Sequence, residues 1–100
     1  PDKPRRVILQ YKVFIAVEFK GLSEEAHKEI AERLEEHGLE KIPTLSSAWE
    51  YACEAEDETD AKDNAIQTFV NIVRTYPCEM GLVVQAGTSQ ILRRKKKFDL

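Results

Sequence analysis

The chain has 100 residues, 42% of them hydrophobic and 33% charged, with four glycines and four prolines. That length supports one core, which removes roughly two-thirds of the unfolded chain's surface from water, and leaves little room for two domains around a cleft. The composition excludes disordered and fibrous classes. A net charge of −3 conceals a segregation, because residues 1–20 carry +3, residues 21–80 carry −10 and residues 81–100 carry +4.

From Val7 to Phe19 every odd position is apolar (Val7, Leu9, Tyr11, Val13, Ile15, Val17, Phe19), which predicts a long strand with one buried face. Its even positions, Ile8, Gln10, Lys12, Phe14, Ala16 and Glu18, are mixed, as on a face that meets water or a partner. The apolar run Val13–Val17 is far too short to span a bilayer, and no signal-peptide pattern opens the chain.

Ser23 is placed to cap a helix with Glu24 and Glu25 in its first turn. Ala26, Ile30, Ala31 and Leu34 form its apolar stripe, and Gly38 stops it. Leu39–Leu45 reads as a weaker strand, assigned to an edge because Pro43 cannot donate to a ladder. After a turn at Ser46 and Ser47, Trp49, Tyr51, Cys53 and Ala55 alternate with Ala48, Glu50, Ala52, Glu54 and Glu56, a strand with one face buried.

Thr59 or Asp60 is expected to cap a second helix carrying Ala65, Phe69, Ile72, Val73 and Tyr76, ended by Pro77. A last strand is expected from near Leu82, with Leu82, Val84 and Ala86 on one face. Gly87 suggests a turn or bulge before Ile91, Leu92 and the run Arg93-Arg94-Lys95-Lys96-Lys97.

The order strand, helix, strand, strand, helix, strand predicts an α+β, ferredoxin-like βαββαβ sandwich. It would have an antiparallel sheet in the order 4-1-3-2 and both helices on one face. Residues 1–92 are expected to form this domain, and residues 93–100 a basic C-terminal tail.

Catalytic constellations are not apparent. Cys53 and Cys78 do not form a CxxC pair, which points to neither a disulfide framework nor a zinc site and makes a reducing cytoplasm the expected compartment. His27 and His37, ten residues apart on one helix, point about 80° away from each other and form no metal pair. The acids from Glu54 to Asp63 lack the glycine of a calcium loop and read as a solvated corner or a docking patch for a basic partner. No phosphate loop, nucleophile elbow or HExxH is present. Thus no cofactor, metal or catalytic residue is assigned.

The even-face residues offer Phe14 alone among aromatics, and Glu50 and Glu54 would repel phosphate, so a base-stacking platform is not expected. The first expectation is a small non-enzymatic regulatory or interaction protein, dimeric, that engages a protein partner through the sheet face (Ile8, Phe14, Glu50, Val83) or a charged pole. The alternative is a nucleic-acid-binding or small ribonuclease-like protein using Arg5, Arg6, Arg93, Arg94, Lys95, Lys96 and Lys97. In the 4-1-3-2 order these basic ends converge on a pole where acids of the middle segment also arrive. A small-molecule sensor is a third reading, for which no pocket motif is present.

Overall fold

Strict alternation along the first segment produces β1, Leu9–Lys20, in which Tyr11, Val13, Ile15 and Val17 are buried and the residues between them are not. The computed structural model describes residues 8–99. At Gly21 the backbone has φ +90°, a conformation that L side chains rarely adopt, and the chain leaves the strand. Ser23 Oγ then accepts a hydrogen bond from the Ala26 N–H at 3.1 Å and starts α1, Glu24–Glu36, which buries Ile30 and Leu34. Gly38, at φ +88°, closes it.

The second strand, β2, is only Leu39–Lys41, shorter than the expected run to Leu45. The Ile42 N–H still reaches the Ala48 carbonyl at 2.9 Å, but Pro43 has no N–H to continue. Residues 43–47 instead form a loop, pinned where the Val17 N–H donates to the Ser47 carbonyl at 3.0 Å. Next comes β3, Ala48–Ala55.

The second helix, α2, is Glu58–Val73 and is capped by Asp57, not by Thr59 or Asp60. Asp57 Oδ1 accepts from the Asp60 N–H at 2.8 Å, so the acid at position 60 serves inside the first turn, near the positive end of the dipole. Its buried stripe is Ala61, Ala65, Phe69, Ile72 and Val73, with Tyr76 in the turn beyond. The last strand, β4, is Glu79–Gly87. It starts before Leu82 because β1 runs on to Lys20 and offers it as a partner for Glu79. Among the described residues no regular structure follows Gly87.

These elements make a small α+β domain with a four-stranded antiparallel sheet ordered β2-β3-β1-β4 and two helices. Helix α2 lies over β1, β3 and β4, whereas α1 approaches the sheet at β2 and leans on α2. Both helices and the odd positions of β1 share one buried cluster, so both lie on the same face. Tyr76 Oη donates to Glu29 Oε2 at 3.0 Å, and the Arg33 guanidinium sits 5.6 Å from the Tyr76 ring centre, which ties the end of α2 to α1. Among the described residues no helix is long and apolar enough to cross a membrane.

Candidate functional site

The face of the sheet turned away from the helices is built by strand parity. Directly opposed residues in an antiparallel pair share a face. Phe14 therefore lies between Glu50 on β3 and Gln85 on β4, and Ala16 lies between Ala48 and Val83. Glu40 on β2 extends the first of these rows beyond Glu50. Ile8, just ahead of β1, is 61% exposed, Val83 is 68% exposed, and Phe14 is half-buried.

The C-terminal segment folds back over part of this face. Gly87 lies opposite Lys12, while Glu50 lies opposite Phe14, so a chain running from Gly87 to Glu50 passes over β1 between those two positions. It crosses two strand spacings, about 10 Å, well within the reach of residues 88–93. The alternation continues in this strap, where Ile91 and Arg93 are half-buried and Leu92 and Arg94 are exposed.

Arg93 Nη2 forms an ion pair with Glu50 Oε2. That oxygen is sealed from solvent, and the Glu50 side chain keeps only 13% of its exposure. A carboxylate so far removed from water needs a counter-charge, and the arginine supplies one. A pair at this depth contributes on the order of 1 kcal/mol. Glu50 is thus engaged within the chain itself. Arg94, Lys95, Lys96 and Lys97 are exposed beyond it, while Arg5 and Arg6 lie outside the described residues.

A second concavity, of about 400 Å³, opens on the other face, where α1 stands off from β1 and β3. Ile30, Leu34, Val17 and Trp49 line its apolar side, and Lys41, Ser46 and Ser47 line its rim. His27 borders it with its ring edge against Phe19, 5.5 Å between centres. The other histidine, His37, is used locally, its Nδ1 donating to the Arg33 carbonyl at 2.8 Å.

Neither cysteine is arranged as a nucleophile with a base. Both are free and half-buried. Burial pushes the Cys53 thiol above its ordinary range and the Asp60 charge adds to this, while a hydrogen bond with Asn64 opposes both. The sign follows from the raised value: this thiol contributes stability that is complete below the unfolded pKa and is lost as pH rises through the folded one. In a Cys78→Ser background, Cys53 is therefore expected to react with Ellman's reagent at pH 8 more slowly than a thiol of the urea-unfolded chain. Equal rates would overturn this placement.

Two of the acids following β3, Asp57 and Asp60, bond backbone N–H groups at the helix start. Besides the Asp57 cap, Asp60 Oδ2 accepts from the Glu56 N–H at 3.3 Å. Among the described residues no group of three or more histidine, cysteine or acidic side chains is gathered as a metal site. In comparisons with known proteins, no family model matches the chain, and no curated protein or solved structure is detectably similar to it.

Proposed function

We propose that this chain is a ferredoxin-like sandwich acting as a small interaction protein that binds a protein partner through its sheet, without catalysis of its own. The fold name rests on the strand order β2-β3-β1-β4 with both helices on one face. The observation that carries the functional reading is the uncovered part of the open face beside β4. There Val83 stands exposed next to Ala16, flanking Phe14, at the margin of a sheet edge that no described strand pairs. An apolar strip joined to an open edge is suited to strand addition or face-to-face packing. The strap leaves this part of the face free and occupies the Glu50 part.

Phe14→Asp tests the reading. It introduces charge into the middle of the open face while leaving the helix face untouched. Partner binding, followed by pull-down from the native host with and without nuclease, is expected to fall at least tenfold, by analogy with a charge buried at an interface. Retention of every nuclease-resistant interaction would remove the sheet face from consideration. The alternative, nucleic-acid binding, is supported by the exposure of Arg94 and Lys95–Lys97. It predicts capture that nuclease abolishes and that falls steeply with salt.

A further inference from the structure

Sheet edges are normally protected, because unpaired N–H and C=O groups invite another chain to add on. The two edges of this sheet differ in this respect. On one side β2 is three residues long and Pro43 follows it closely. On the other, β4 runs for nine residues, Glu79 to Gly87, in unbroken register with β1 from Lys20↔Glu79 to Lys12↔Gly87. It contains no proline, lysine or arginine, no bulge interrupts it, and its one ionisable side chain, Glu79, stands at its end. Among the described residues nothing pairs its outer edge, and the C-terminal strap leaves in the opposite direction, toward β3.

We infer that the occupant of this edge is a second copy of the same chain, paired antiparallel β4 to β4 about a two-fold axis at Val83. Three features select that partner and that register. Full overlap of all nine residues sets Val83 opposite the partner's Val83, Leu82 opposite the partner's Val84, and Glu79 opposite the partner's Gly87. No like charges then meet across the junction. Parity is the second feature. Leu82, Val84 and Ala86 belong to the helix face and Val83 and Gln85 to the open face, so this register joins helix face to helix face. A shift by one residue would set the apolar row of one copy against the solvent-facing row of the other.

The third feature is the half-buried state of Leu82 and Val84, whose inner sides pack on the core while they stand at the sheet margin. Pairing covers them and produces a continuous eight-stranded sheet with a closed, isologous interface. This deepens the proposed use of the sheet as an interaction surface and rests on that reading.

The test is a charge exchange at the axis. Val83 is 68% exposed, so lysine or glutamate there leaves the fold intact, which circular dichroism verifies. In the dimer, however, Val83→Lys puts two like charges directly opposite each other, and so does Val83→Glu. Light scattering coupled to size exclusion is expected to give a dimer for the unaltered chain. Each variant is expected to be a monomer, its dimer dissociation constant raised roughly a hundredfold. The equimolar mixture of the two variants is expected to return to the dimer mass, with native mass spectrometry detecting the heterodimer alone.

A mixture that stays monomeric overturns the register, and variants that remain dimeric overturn the edge. An unaltered chain that is monomeric up to millimolar concentration overturns the self-pairing. The sheet-face reading is judged apart from these outcomes, by whether Phe14→Asp abolishes partner capture.

Discussion

Replacing Phe69 by alanine is expected to lower the free energy of unfolding by about 3–5 kcal/mol. The residue is 0% exposed and sits on the stripe of α2 that faces the sheet, below a turn in which Ala61 and Ala65 present almost no side chain. With little side chain at Ala61 and Ala65, Phe69 supplies the largest side chain that the stripe of α2 buries against the sheet. The edge of its ring meets the Trp49 ring with 6.5 Å between centres and 77° between planes, an arrangement the ring quadrupoles favour. Truncation therefore forfeits both the transfer of a large ring from water and the contacts around the void it leaves.

For a domain whose total stability is about 5–15 kcal/mol, that is a large fraction. Urea unfolding followed by circular dichroism measures it. Trp49 is the only tryptophan, and its emission, altered by loss of the neighbouring ring, gives a second reading of the same transition. A loss below about 1 kcal/mol, the scale of a surface substitution, would mean that α2 does not pack on β3 as described.

How legible this architecture is from residues alone depends on how local the determining signal is. The period-two pattern of Tyr11 to Val17 and the stripe from Ala65 to Val73 are local, and both elements form where the pattern places them. Boundaries are less local. Asp57 takes the cap from Thr59 and Asp60 because several polar residues in a row can each serve, and the one whose backbone is extended just before the first helical turn is not marked by residue type. Glu79, Met80 and Gly81 join β4 because β1 is long enough to pair them, a condition set by a strand some sixty residues away.

The open face was legible as a list of side chains but not as a surface. Phe14, Glu50 and Val83 do lie on it, yet their surroundings differ. Val83 stands free at the margin, Phe14 is half-covered, and Glu50 is closed off by Arg93. The convergence of the basic ends on one pole follows from strand direction and assumes that the chain continues straight past Gly87. Instead the strap turns across the face, where Arg93 meets the carboxylate of Glu50 on a central strand, forty-three residues earlier. A faint signal of this exists in the sequence. Ile91 and Arg93 alternate with Leu92 and Arg94, a period-two pattern without the length of a strand.

Strand parity has its sharpest expression in a second substitution, Ile15→Asp, one residue from the Phe14→Asp variant used to probe binding. Ile15 is 0% exposed, lies between Trp49 and Val84, and faces the helices. Loss of its side chain costs about 2–5 kcal/mol. A carboxyl group left without a partner in the same place adds about 1–3 kcal/mol even when neutral. Together these rival the whole stability of a small domain, so no cooperative unfolding transition is expected at pH 7.

The pH dependence has a definite sign. Burial raises the introduced carboxyl's pKa above the ordinary value of about 3.9, so whatever stability the variant retains is present in acid and is lost as pH rises through the folded value. Ile15→Asn supplies the uncharged reference. The two variants are expected to be similar near pH 4 and to diverge above it, with Ile15→Asp the less stable. Phe14→Asp loses a half-buried ring and faces Glu50 across the strand pair, so it is expected to lower the unfolding midpoint, but by clearly less than Ile15→Asp and with the cooperative transition kept, because water reaches the carboxylate. Equal tolerance of aspartate at positions 14 and 15 would mean that the helices do not cover the odd face of β1, and every assignment of side chains to the two faces would fall with it.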